Sequence, residues 1–138
     1  MEELKTLFKD YFGTPAAKVE KLAGAGSNRT YFRLSADDGR SAIGTVGTVL
    51  AENRAFMAIS AHFAAKGLNV PKVLAVSADA MIYLQEDLGN DTLFNLVAEG
   101  REKGNYSPAE KALIFKAVRA LPKIQFEGAQ GLDFSICF

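Results

Sequence analysis

Three short stretches of this 138-residue chain bring together residue types that can hold a phosphorylated ligand. The first is Gly24-Ala25-Gly26-Ser27-Asn28-Arg29, two glycines followed by a hydroxyl, an amide and a guanidinium. A glycine-rich loop lets backbone N–H groups approach phosphate oxygens with no Cβ in the way, and all three polar side chains can add contacts. The same residues also suit a plain turn that needs positive φ. The second is Glu52, which continues the apolar stripe of Phe56, Ile59 and Phe63 and so points toward a packing face. A carboxylate there can hold a cation that in turn holds phosphates, or it can be a first-turn acid favoured by the helix dipole. The third is Tyr83-Leu84-Gln85-Glu86-Asp87-Leu88-Gly89, an apolar run that ends in an acidic pair. Extended backbone of this kind offers the carbonyl and N–H that an adenine edge requires, with Met81 and Leu88 as apolar surroundings, or it is an ordinary strand-to-helix connection.

The elements around these stretches follow from period and punctuation. Leu4, Leu7, Phe8 and Tyr11 predict an amphipathic helix over 2–12, stopped by Gly13-Thr14-Pro15. From Lys18 the pattern is strand, glycine loop, strand through Thr30–Leu34, an Asp37-Asp38-Gly39 turn, and a third strand over Ser41–Val46. A helix follows between Val49 and Lys66, then strands over Lys72–Val76 and Ala80–Gln85 joined at Ala78-Asp79. Asn90 or Asp91 can cap a short helix through Val97, and Ser107-Pro108-Ala109-Glu110 is a capping box opening a helix to about Leu121. Gly131–Phe138 alternates apolar and small polar residues as an edge strand does, or it is a chain cut before its partner elements.

The glycine loop is followed by a strand, which excludes a dinucleotide fingerprint, where a helix must receive the pyrophosphate. Asn28-Arg29-Thr30 is not the Gly-Lys-Ser/Thr of a Walker A loop. A hairpin tip folded over phosphates remains, as in protein-kinase-like phosphotransferases. In such a site the third strand carries a lysine; the slot after Ala42-Ile43 holds Gly44, and no Lys occurs between Arg40 and Lys66, so Arg29 or Arg33 would have to substitute.

Composition removes other classes. Sixteen Lys and Arg balance sixteen Asp and Glu, so no basic field exists to grip nucleic acid. The single Cys137 and single His62 can form neither an internal disulfide nor a four-ligand zinc site, and His62, mid-helix beside Phe63, reads as structural. The acidic start and the lack of a stretch of roughly 20 apolar residues lead us to expect a cytoplasmic chain with no membrane partner.

Together, Ala23–Leu34, Ala51–Phe56, Leu68–Val73 and Leu84–Gly89 resemble the aminoglycoside phosphotransferase and choline kinase-like family, most closely its bacterial cell-wall amino-sugar kinase branch, whose members can lack the third-strand lysine. The likeness spans roughly residues 15–125. It implies an α+β protein: a kinase-like N-terminal lobe over 1–86, with a five-stranded antiparallel sheet and one packed helix, then a hinge and the first helices of an incomplete second lobe over 87–138. It implies ATP as phosphoryl donor, a sugar or amino-sugar hydroxyl as acceptor, and nucleotide contacts from Gly24, Gly26, Ser27, Asn28, Arg29, Glu52, Gln85, Glu86 and Leu88. The family's catalytic Asp, in a His-Gly-Asp-like loop, and its Mg²⁺ ligands have no counterpart in the 138 residues; Asp133-Phe134-Ser135 lacks an upstream catalytic loop. The expectation is therefore about the first two-fifths of a phosphotransferase, a truncated product or a fragment, inactive alone. A non-catalytic kinase-like interaction module is the alternative.

Overall fold

The computed structural model describes residues 1–24 and 26–137, so Ala25 of the glycine loop and Phe138 lie outside the described residues. The protein is α+β, with a five-stranded antiparallel sheet and several helices, and it divides into two compact units, 1–87 with 133–138 and 88–132.

The first unit opens with α1 (Glu2–Phe12), closed by Gly13 in the left-handed conformation with its N–H on the Lys9 carbonyl. Next come β1 (Lys18–Lys21), β2 (Thr30–Ser35) and β3 (Ser41–Val46), then α2 (Leu50–Ala65), β4 (Val73–Val76) and β5 (Ile82–Glu86). The sheet order is β1-β2-β3-β5-β4, so a meander and a hairpin meet at β3 and β5, with α2 as the connection between them.

Strand alternation gives the sheet two different faces. Leu34, Ala42 and Leu84, with Phe32, Val46 and Ile82 around them, pack on Leu4 and Phe8 of α1, and this is the apolar core. The opposite face is set by the cross-strand pairs Tyr31↔Thr45↔Tyr83 and Arg33↔Ile43↔Gln85, a far more polar set. Here α2 meets the sheet: the Phe56 ring stacks on Tyr83 with centroids 5.3 Å apart. Asn53, fully buried, donates through Nδ2 to the carbonyls of Ala80 (3.0 Å) and Met81 (3.3 Å). A Cβ at Gly47 would fall 2.6 Å from the Asn53 Cγ, so the chain entering α2 must run bare past that amide.

The terminal segment is not a strand. The Asp133 carboxylate accepts the Ser135 N–H at 2.9 Å, and Phe134–Ile136 form a 3₁₀ turn closed by the Cys137 N–H on the Phe134 carbonyl (3.1 Å). This local bonding outweighs the alternating pattern, and among the described residues no strand of the sheet pairs with the segment. Ser135, Ile136 and Cys137 line a groove of about 560 Å³ with Leu50, Ala51, Arg54, Ala55 and Ala58 of α2. At about 100° per residue those α2 positions lie on the side of the helix away from Phe56.

The second unit contains α3 (Leu93–Leu96), α4 (Ala98–Lys103) and α5 (Pro108–Pro122), the last running on into a π-helical turn over Lys123–Glu127. The cap of α3 is Thr92, whose hydroxyl accepts the Asn95 N–H at 3.2 Å, rather than Asn90 or Asp91. The expected capping box is present: Ser107 Oγ accepts the Glu110 N–H, and the Glu110 carboxylate accepts the Ser107 N–H at 2.8 Å. Glu110 also accepts the Gly100 N–H at 2.7 Å, joining α4 to α5.

The Ser107 hydroxyl and the Ser107 and Gly100 amides hold the Glu110 carboxyl below its ordinary value of 4.5. A depressed folded-state value means that its contribution to stability is complete above pH about 4.5 and is lost as pH falls through the folded value. Ser107→Ala removes the cap and one of these donors. It is expected to destabilise α5 by about 1 kcal/mol near neutral pH, with a smaller difference from the parent at acid pH, as followed by urea titration of helicity.

Candidate functional site

The glycine loop returns into β2 through a turn that the sequence itself ties. Gly26 takes φ +70°, open to it because it lacks a Cβ, and Ser27 Oγ accepts the Arg29 N–H at 3.1 Å. Gly24, Gly26, Ser27 and Asn28 are exposed, whereas Arg29 is half-buried. Its guanidinium reaches across 23 positions of sequence to α2. Nη2 donates to the Glu52 backbone carbonyl at 3.0 Å, Cζ lies 5.3 Å from the Phe56 ring centroid, and Nε is buried without a hydrogen-bond partner among the described residues. The loop cation and the first turn of α2 are thus brought together, but through the carbonyl of Glu52, which is half-buried, rather than its carboxylate.

Behind Phe56, the fully buried Tyr83 and Thr45 stand opposite each other in the β5–β3 register, and neither hydroxyl makes a hydrogen bond among the described residues. Burial pushes the Tyr83 phenol above its usual 10, opposed by the Arg29 charge and by the nearby Thr45 hydroxyl. Gln85, one cross-strand row further on, is half-buried with its Oε1 buried and unpartnered. Arg29 Nε, Thr45 Oγ1, Tyr83 Oη and Gln85 Oε1, on or beside one face of the sheet, thus have no hydrogen bond among the described residues. Buried polar groups of this kind are costly unless something completes them.

The end of β5 is held by an ion pair and a pair of hydrogen bonds to the backbone of Lys72. Arg33 makes a fork with Asp87, Nε to Oδ2 at 2.7 Å and Nη2 to Oδ1 at 2.9 Å, with side chains 17% and 8% exposed. Glu86 is pinned to the start of β4: its N–H donates to the Lys72 carbonyl at 3.0 Å, and its carboxylate accepts the Lys72 N–H at 3.0 Å. The Glu86 N–H is thus already committed, and an adenine edge at this strand end would have to take its N–H from another residue. Leu88 is exposed and begins the second unit.

Gly44 changes meaning once the faces are known. A Cβ there would stand 2.7 Å from Leu34 Cδ1 and closer still to Leu4 Cδ2, so position 44 points into the α1 core, away from Glu52 and Arg29. A lysine in that slot could not reach the α2 side. The β3 residue that does face it is Thr45.

Thr45, Tyr83 and the ring of Phe56 belong to the site by geometry, and the sequence marked them only as strand or stripe residues. Asp87 was legible as part of the acidic pair, but not as the partner of Arg33, 54 positions away. Asn53 could have been found from its spacing, three residues before Phe56 on the sheet-facing stripe.

Among the described residues, no group of three or more His, Cys, Asp and Glu side chains is placed to hold a metal ion. No helix among them is long and apolar enough to cross a membrane. No protein-family model and no curated protein matches the chain.

Proposed function

We propose that this chain is the nucleotide-binding portion of an ATP-dependent phosphotransferase that acts on a sugar or amino-sugar hydroxyl. On this reading the first unit is a kinase-like N-terminal lobe, and the chain belongs to the aminoglycoside phosphotransferase and choline kinase-like family that its motifs resemble. The observation that carries the proposal is Arg29: a half-buried cation from the glycine hairpin, held against the first turn of α2 and the Phe56 ring, with a buried Nε that has no hydrogen-bond partner among the described residues. The meander, helix and hairpin order supports it: Thr30, where the loop returns, aligns through Val46 with Ile82, and Arg29 beside it reaches the first turn of α2. Nucleotide contacts are assigned to Gly24, Gly26, Ser27, Asn28, Arg29, Glu52, Gln85, Glu86 and Leu88, with Glu86 contributing groups other than its N–H.

The expected affinity is low. One face of an adenine removes on the order of 80 Å² of apolar surface from water, about 2 kcal/mol, and two hydrogen bonds add about 2 more. Ordering costs cancel part of that adenine energy, so adenosine alone is expected at about 10 mM and phosphate contacts bring the dissociation constant for ATP to about millimolar. The sequence holds no His-Gly-Asp-like loop to supply a catalytic base, so these residues are expected to bind nucleotide without turning it over. Calorimetry with ATP and a phosphoryl-transfer assay with amino sugars test this: weak saturable binding without turnover is expected. Micromolar binding or transfer by the chain alone would contradict it.

The second reading, a non-catalytic interaction module, draws on the exposed Phe94, Phe115 and Phe126 of the second unit, each at least 59% exposed. It anticipates no nucleotide binding at all, so the same titration separates the two.

A further inference from the structure

We propose that Arg29 is the cation that holds a phosphoryl group of the nucleotide in this protein, acting from the glycine hairpin, with the Thr45 and Tyr83 hydroxyls completing the donor set. This deepens the nucleotide reading and rests on it.

Arg29 is half-buried, yet the partners of its guanidinium, a backbone carbonyl and an aromatic ring, are both neutral. Among the described residues no carboxylate lies within ion-pair distance of it. A guanidinium taken partly out of water without a counter-charge is unfavourable, and an anion repays that cost. Its buried Nε has a donor to give, and a guanidinium offers adjacent N–H groups in the fork that phosphate oxygens accept. Other positions are less suited. Arg33 already spends its fork on Asp87, position 44 faces the α1 core, and Arg54 lies on the side of α2 away from Phe56. Thr45 and Tyr83 supply the independent observation: two fully buried side chains on the Phe56 face whose hydroxyls make no hydrogen bond among the described residues. The carbonyl of Glu52 and the ring of Phe56 then serve as a resting place that Arg29 leaves when phosphate arrives.

The test is a ¹H–¹⁵N NMR titration of the full chain with ATP, adenosine and inorganic pyrophosphate. The Arg29 side-chain Nε–Hε resonance is expected to move with ATP and pyrophosphate and to stay still with adenosine. ATP should bind about tenfold more tightly than adenosine, the low end for a charge-assisted hydrogen bond. Arg29→Met should erase that tenfold, and Arg29→Lys should keep part of it. If Arg29→Met binds ATP as well as the parent does, or if ATP and adenosine bind alike, the phosphate role falls while the nucleotide reading stands. If no ligand perturbs the spectrum up to about 10 mM, nucleotide binding itself fails, and this inference with it. Should Arg29→Met not fold, the parent's Nε–Hε response and the Arg29→Lys titration decide.

Discussion

Gly44→Lys, the substitution that would restore the missing third-strand lysine on paper, is expected to unfold the first unit rather than build a phosphate clamp. A Cβ at 44 already invades the space of Leu4 and Leu34, both fully buried between α1 and the sheet. Overpacking of this kind costs about 1–3 kcal/mol. The four-carbon stem then has to end in an ammonium within an apolar cluster or force its way past α1, which adds several kcal/mol, roughly. The sum approaches the whole stability of a small domain, about 5–15 kcal/mol. Gly44→Ala separates the two terms, because it carries only the packing cost. Urea titrations of both variants, with ATP binding measured on whatever remains folded, check this. A Gly44→Lys protein as stable as the parent and with tighter ATP binding would show that position 44 faces the nucleotide side.

Asp87→Ala should be nearly as damaging, by a different mechanism. The Arg33–Asp87 fork spans from β2 past β3 to the end of β5 and is largely shielded from water, with Asp87 8% exposed. Removing the carboxylate leaves the Arg33 guanidinium without that counter-charge in a site built for it, a loss of about 3–5 kcal/mol. Asp87→Asn keeps the shape and loses only the charge, so its cost should be smaller. Replacing both partners together, Arg33→Met with Asp87→Leu, should recover most of the stability, because neither change then strands a charge. Denaturant midpoints for the two singles and the double form a mutant cycle. Additive losses would show that the fork contributes nothing as a pair.

Element order was open to reading because the chain punctuates itself. Gly13, Asp38-Gly39, Gly67 and Ser107-Pro108-Ala109-Glu110 each have a conformational reason to stop or start an element, and the elements begin or end beside them. What resisted reading was parity. Ala42, Ile43, Gly44 and Thr45 are all buried, so β3 carries no polar alternation to say which residues face α1 and which face α2. Only the contacts of Gly44 with Leu4 and of Tyr83 with Phe56 resolve it. The Arg33–Asp87 fork was hidden for the related reason that two distant residues meet across a sheet whose register no local pattern specifies. The C-terminal alternation misled because a period of two makes a strand only where another strand is present to pair with it. Within the site, Gly24–Arg29 and Glu52 were legible as chemistry, while the hydroxyls of Thr45 and Tyr83 became visible only as buried groups without partners.

The most direct measurement of the central claim is residue-resolved mapping of ATP on the isotopically labelled chain. The nucleotide account expects the perturbed amides to cluster at Gly24–Thr30, Thr45, Glu52–Phe56 and Tyr83–Leu88, saturating at about millimolar ATP. Perturbations confined to α1 and the Leu34–Leu84 core face, or none at all at that concentration, would contradict it.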